Sequence, residues 1–325
     1  MENNYSSKYL IETGIGLQDV DGLKNSPYFL AQADKYIKGE ISLDQLDKLV
    51  NAYYENKQGQ DDRTIEADIV SNRIAQIISD DSFVFTVGQL VSIHKRLFED
   101  LFSHSGRLRD YNFIKREWVL DGRSVMYGDF HELQSTLEYD FEIERRFKYS
   151  GLSMDEIIDH LATFISNLWQ IHPFKEGNTR TTAVFFIKYL RSLGFDVTND
   201  VFAKNAWYFR NALVRANFRY IQKGIEEDKT FIVMFLKNLL LGENNELNNR
   251  NLRINIDKQA DKPLTRELHI VELIKVNPKI KADEIAEKIG VSSRTVKSVL
   301  AMLVNDNKIK RVNGKRFGYW EVIGK

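Results

Sequence analysis

Cysteine is absent from these 325 residues. That excludes disulfides, thiolate metal sites and a cysteine nucleophile, and it fits a reducing, cytoplasmic setting. Proline is scarce, at four residues, which leaves room for long helices. Long apolar runs are missing as well. Phe231 to Leu241, one of the longest, is interrupted by Lys237 and Asn238 and is too short to span a bilayer, so no membrane partner is expected. The polar stretch Met1 to Tyr9 has no apolar signal core. Net charge is missing too, with 46 basic against 46 acidic side chains, so the whole chain makes no electrostatic case for nucleic acid or a membrane surface.

What is present is an ordinary globular balance, 43% hydrophobic and 28% charged, over a length sufficient for two or more domains. The charge is unevenly placed. Residues 1–62 hold 11 acidic against 6 basic side chains, and residues 259–325 hold 14 basic against 8 acidic. An acidic front and a basic tail read as separate modules.

Helical periodicity dominates. It runs through Leu43, Leu46, Leu49 and Val50, with Ser42 and Gln45 forming a capping-box start. It returns at Thr64 to Ser79, Val87 to Phe98, Glu132 to Phe147, Met154 to Gln170, Arg180 to Leu193, Ala206 to Phe218 and Lys229 to Leu241. Gly194 is placed as a helix C-cap. Between Trp118 and Tyr127 two β-prone runs flank Asp121-Gly122, a hairpin signal. The polar run Asn56 to Arg63 and the asparagine-rich Asn244 to Lys262 read as boundaries. Beyond them lie helical patterns at Thr265 to Val276, Ala282 to Ile289 and Ser292 to Asn305, punctuated by Pro278 and Gly290. A hairpin turning at Asn313-Gly314 follows. Three helices and a two-stranded wing is the winged-helix order. The expected division is therefore 1–62 a small helical module, 63–245 the central body, 246–262 a linker and 263–325 a winged helix.

The chemistry concentrates in His172-Pro173-Phe174-Lys175-Glu176-Gly177-Asn178-Thr179-Arg180, between two amphipathic helices. A helix N-terminus beside a glycine is an anion site. Arg180 has the geometry to hold phosphate oxygens. Glu176 is an oxygen ligand suited to Mg²⁺, which binds through few carboxylates plus substrate phosphates. His172 can take a proton near neutral pH. These are parts for phosphoryl transfer; the plainer alternative is a turn with a core histidine and a surface ion pair.

This stretch resembles the Fic signature HxFx(D/E)GNGRxxR, agreeing at six of its eight positions. The resemblance implies an all-α fold: a Fic helical core with a β-hairpin flap. It implies His172 as general base for a target-protein hydroxyl, Glu176 as the Mg²⁺ ligand, and Gly177, Asn178, Thr179 and Arg180 around the nucleotide phosphates, with Phe174 buried. It implies ATP as substrate and transfer of AMP to a Ser, Thr or Tyr hydroxyl. The segment Gly106 to Asn112 resembles the approach to the family's flap. The flap itself, with Val119, Leu120, Val125 and Tyr127, would bind the target by strand addition. Two positions depart from the pattern: Thr179 replaces a glycine and Ala183 replaces the last arginine, which resembles a γ-phosphate ligand.

Residues 15–50 resemble the small antitoxin that partners Vbh-type Fic proteins. Asp21-Gly22 falls where that family's inhibitory Glu-Gly stands, although Leu17 replaces its Ser/Thr. With no arginine at 183, an inhibitory Asp21 is expected to have little to pair with. Glu66 is the second inhibitory candidate. The tail resembles winged-helix domains, with Arg294, Lys297, Lys310, Arg311 and Lys315 as DNA-contact candidates. Alternative readings are a winged-helix DNA-binding regulator around an altered or inert Fic core, and a Fic enzyme that transfers another phosphate-linked group. A homodimer is compatible with all of them.

Overall fold

The computed structural model describes residues 5–55, 61–256, 266–289, 291–312 and 318–323. The chain is mainly helical and divides into two compact units, Met1–Arg219 with Glu227–Ile256, and Tyr220–Glu226 with Asp257–Lys325.

In the first unit the helices are α1 (Ser7–Gly16), α2 (Pro27–Ile37), α3 (Leu43–Glu55), α4 (Asp62–Ser79), α5 (Val87–Phe98), α6 (Leu133–Arg146), α7 (Met154–Ile171), α8 (Asn178–Ser192), α9 (Val201–Ala216) and α10 (Thr230–Leu241). Local signals account for many of the ends. Ser42 and Gln45 exchange their expected capping-box bonds, 2.8 and 3.2 Å, ahead of α3. Ser153 and Glu156 form a second box ahead of α7. Gly194, at φ +92°, closes α8: its N–H donates to the Arg191 carbonyl and that of Phe195 to the Leu190 carbonyl, the Schellman pattern.

The core is built around α8, which is buried without interruption from Asn178 to Leu190. A helix buried all round must find partners on every side, and α8 packs on α4, α5 and α7. Phe85, Phe141, Phe164, Phe185 and Tyr189 form one aromatic cluster against its far half. Helix α1 packs on α4 and α9. The approach is so close that a Cβ on Gly16 would collide with the Ala203 carbonyl in α9. The helices expected at the front of the chain are therefore seated against the central body.

Two expectations change here. The segment expected as a β-hairpin flap holds no strand: Trp118–Leu120 is a 3₁₀ turn, and Asp121 (φ 55°) and Gly122 (φ 80°) are both left-handed. Val119, Leu120 and Val125 are buried, and the Val119 carbonyl accepts from Ile254 N–H at 2.9 Å. These β-branched and aliphatic residues fill the core instead of an exposed edge. For the same reason residues 246–256 are not a free connector. Leu252, Ile254 and Ile256 are buried. The rest of that expected linker, most of the 56–63 boundary, Gly290, the Asn313-Gly314 turn and Lys315 lie outside the described residues.

The second unit has α11 (Arg266–Val276), α12 (Ala282–Ile289), α13 (Ser293–Asn305) and an antiparallel pair, β1 (Ile309–Val312) and β2 (Tyr319–Val322), with Ile309 opposite Val322. Its core gathers Ile270, Ile274, Ile280, Ile285, Val296, Leu300, Leu303 and Ile309. Among the described residues no helix is long and apolar enough to cross a membrane.

Candidate active site

The site grows from the junction of α7 and α8. Helix α7 ends on His172, which adopts the left-handed conformation (φ 50°, ψ 59°) and so turns the chain sharply. Arg109 holds this turn. Its Nε donates to the His172 carbonyl at 2.8 Å, and its guanidinium also reaches the Ile171, Gly128 and Tyr111 carbonyls. Its own N–H donates to the Pro173 carbonyl at 2.8 Å. Pro173 and Phe174 then lead to Gly177, at φ 74°, where α8 begins. A Cβ on Gly177 would strike the Phe98 ring, so sterics and backbone both demand glycine.

Asn178, expected on the phosphates, has its side chain engaged elsewhere. Its Oδ1 accepts from Phe174 N–H at 2.8 Å and its Nδ2 donates to the Phe174 carbonyl at 2.7 Å. The carboxamide braces the loop, which leaves the backbone N–H of Asn178 and the second hydrogen on Nδ2 for an anion. Thr179 needs no positive φ, because it lies inside the first turn of α8; its Oγ1 accepts from Trp169 Nε1 at 2.9 Å. The glycine-to-threonine departure therefore costs the loop no strain.

His94 was not foreseen. It sits on the apolar face of α5 and stacks on Phe174 at 3.8 Å and 8°. Gly106 N–H donates to its Nδ1 at 2.9 Å, which leaves Nε2 as the donor to the Glu176 carbonyl at 3.1 Å. This neutral imidazole ties the Gly106 loop to the signature loop. The only signal for it was a lone histidine among Leu90, Ile93 and Leu97.

His172 is 5% exposed. Its Nδ1 lies 3.3 Å from the Trp169 carbonyl, an acceptor, which fixes the proton on Nδ1 and leaves the Nε2 lone pair available. The Tyr127 ring packs 4.3 Å from it. Tyr127 is half-buried and donates to Glu117 at 3.2 Å, and Glu117 in turn pairs with Arg210 at 2.8 Å. Tyr127 thus backs the imidazole instead of presenting a strand edge. Burial, and then the charges of Lys115, Arg210 and Arg109, hold the His172 imidazole well below its ordinary range.

Arg180 is buried and already occupied. Nη2 pairs with Glu66 at 2.6 Å, Nη1 donates to Gln18 Oε1 at 3.1 Å, and the guanidinium lies 4.8 Å over the Phe98 ring. Nε lies 3.0 Å from Asp21, an ion pair without hydrogen-bond alignment. The expectation that Asp21 would lack a partner is corrected: with alanine at 183, both acidic candidates meet on Arg180.

Two cavities border these groups. One of about 580 Å³ is lined by Asp21, Arg63, Glu66, Lys115, Glu176, Arg180, Trp207 and Arg210 among others. The other, about 230 Å³, is lined by His172, Gly177, Asn178, Thr179, Phe113, Ile114 and again Asp21, Lys115 and Glu176. The Glu176 carboxyl is raised from its ordinary value, by burial first and then by Asp21 and Glu66. It makes no hydrogen bond or ion pair among the described residues, so it is free to take a hard cation. Mg²⁺ suits it as an ion that needs few protein ligands when phosphates supply the rest. Among the described residues no group of three acids and histidines forms a metal cage.

In the second unit Arg294 and Lys297 are exposed on α13. Lys310 pairs with Glu321 at 2.9 Å, and Arg311 lies 4.6 Å over the Trp320 ring, so these two cations are engaged locally.

Residues 84–190 match the Fic/DOC family, and residues 264–310 match the winged helix-turn-helix DNA-binding family. The chain carries a Fic domain. A protein adenylyltransferase of Bartonella henselae is 25% identical over 41% of this chain and 26% of its own length. The protein adenylyltransferase VbhT of Bartonella schoenbuchensis is 24% identical over 36% of this chain and 23% of its own. The chain thus spans about a quarter of the length of these two relatives. The crystal structure of a Fic family protein from Desulfovibrio desulfuricans is similar over 97% of this chain and 88% of that one, at 15% identity and a TM-score of 0.43.

Two buried neutral histidines make the Fic domain sensitive to acid. Burial lowers His94 to about 4, and His172 is lowered too. Each binds a proton more readily unfolded than folded. Stability is therefore full above about pH 6.5 and falls as pH drops through the window from about 6.5 toward the folded-state values. His94 alone contributes a loss of roughly 3 kcal/mol when protonation is complete. Urea midpoints measured at about pH 7, 5.5 and 4.5 should decline, and His94→Gln should flatten that decline. Parallel pH profiles for the two proteins would refute the assignment.

Proposed function

We propose that this protein is an adenylyltransferase that moves AMP from ATP onto a Ser, Thr or Tyr hydroxyl of a target protein. The observation that carries the reading is the meeting of a neutral His172, a free Glu176 and the glycine-started N-terminus of α8 around one cavity, beside a larger cavity that holds Arg180. The curated relatives named as adenylyltransferases support it.

The chemistry follows from the groups. The target hydroxyl oxygen attacks the α-phosphorus of ATP, its proton passes to Nε2 of His172, and the bond from that phosphorus to the departing pyrophosphate breaks. His172 can accept because Nδ1 keeps its hydrogen on the Trp169 carbonyl. The backbone N–H groups that open α8 face developing phosphate charge. Mg²⁺ on Glu176 would supply charge neutralisation to the leaving phosphates. Intact mass and radiolabel from ATP labelled at the α or the γ phosphate, with the target or the protein itself as acceptor, test the reading. The expected result is α label and an AMP-sized gain, reduced roughly 10²- to 10⁴-fold in His172→Ala. Label from γ alone, or label indifferent to His172, overturns it.

Asp21 and Glu66 restrain this activity under the same reading, because phosphate and both carboxylates compete for one guanidinium. The front module, which resembles an antitoxin, supplies Asp21 and Gln18. Asp21→Asn and Glu66→Gln keep the hydrogen-bonding shape while removing charge. Each should tighten ATP and raise kcat/KM, by roughly fivefold or more for about 1 kcal/mol of lost competition. Unchanged or lower kcat/KM in both, with unchanged melting, would rule out restraint.

A second reading concerns the winged helix, favoured by the DNA-binding family match and by two exposed cations on α13 that are unpaired among the described residues. It places Arg294 and Lys297 on duplex phosphates. Retention of DNA by the full chain should fall with salt, and Arg294→Ala or Lys297→Ala should each lower the log–log slope by about 1. Slopes identical to the parent protein's would remove these residues from any DNA contact.

A further inference from the structure

We propose that Lys115, which lines both cavities, is the cationic ligand of the nucleotide's polyphosphate. This rests on the nucleotide reading above and names a residue that the signature does not contain.

The argument begins with the charges around the cavities. Of the cations lining the larger one, Arg180 is paired with Asp21 and Glu66, and Arg210 with Glu117. Arg63 donates to the Asp21 carbonyl at 2.9 Å and borders the larger cavity alone. In the smaller cavity Lys175 pairs with Asp110 at 3.0 Å. Lys115 borders both cavities, and among the described residues its ammonium meets no carboxylate and makes no hydrogen bond. It shares both linings with Glu176, the free carboxylate, and it acts electrostatically on both His172 and Glu176.

The backbone that carries Lys115 is fixed even though its side chain is not. Lys115 N–H donates to Ser124 Oγ at 3.2 Å, and Glu117 N–H donates to the Arg123 carbonyl at 2.8 Å. Two residues on, Glu117 is buried and clamped by Arg210. A long, free ammonium on a held backbone is a ligand site with adjustable reach. The alternative origin for a phosphate cation, the helix face at 183, is closed: Ala183 is wholly buried in α8. A polyphosphate crossing from Arg180 toward His172 would meet Lys115 on the way, and Lys would serve it as a point charge.

Equilibrium binding of ATP with Mg²⁺ and of adenosine, by calorimetry on the full chain, tests the proposal in wild type, Lys115→Met and Lys115→Arg. Lys115 is half-buried with no side-chain partner, so both variants should melt as wild type does. The expected result is ATP affinity weakened roughly tenfold or more in Lys115→Met, largely restored in Lys115→Arg, and adenosine affinity unchanged in both. Equal ATP affinity in wild type and Lys115→Met overturns the proposal and leaves the nucleotide reading intact. Adenosine lost in step with ATP also overturns it, since that marks a structural role. Wild type that binds neither ligand overturns the nucleotide reading and this proposal together.

Discussion

A guanidinium buried as deeply as that of Arg180 has to be paired, and that requirement ties three parts of the chain together. Asp21 and Gln18 come from the turn after α1, Glu66 from α4, and Arg180 from the first turn of α8. A buried charge without partners costs several kcal/mol, and losing one partner of such a pair is strongly destabilising. The front of the chain is therefore held to the signature loop by electrostatics as well as by the close packing of α1 on α4 and α9. Under the proposed reading, a phosphate that reaches Arg180 must displace two carboxylates, which favours a highly charged ligand.

Arg109 plays the corresponding part on the other side of the loop. Its guanidinium collects carbonyls from His172, Ile171, Gly128 and Tyr111. A planar fork with five donors suits this gathering of unpaired acceptors, as lysine would not. It fixes the left-handed turn at His172 and joins that turn to the segment bearing Lys115. His94 adds the link from Gly106 to Glu176. The signature loop is thus bound from both ends by hydrogen bonds to backbone, which keeps the His172 ring against Trp169 and Tyr127.

Much of this was legible in the chain itself. Helices α3 through α10 and α11 through α13 follow from apolar spacing, and the start of α3 and the end of α8 from Ser42 and Gly194, because local rules decide such features. The signature loop was legible because its residue types are chemically unusual together. The 118–127 segment was misread because alternation and Asp-Gly fit both a hairpin and a compact turn. Burial decided between them: Val119 and Leu120 found core partners. Asn178 and Thr179 were assigned to phosphate by position, whereas their side chains serve Phe174 and Trp169. The partners of long-range pairs could not be read from the sequence, although Glu66 itself stood out as an inhibitory candidate. Glu66 lies 114 residues from Arg180 and His94 lies 82 from Glu176.

The alanine at 183 draws these points together. On a helix buried along its length, an arginine there would need its own anions and its own space, and Ala183 has neither. Removing that cation lowers the positive charge available to a polyphosphate, yet the remaining charge is also redistributed. Asp21 and Glu66 both converge on Arg180, and among the described residues Lys115 has no acid partner. A site so arranged has one restrained cation and one unrestrained one. Under the proposed nucleotide reading, the restrained cation must give up its carboxylates before phosphate seats on it, whereas the unrestrained one needs no such exchange. Binding and release of restraint would then be separate steps at separate residues.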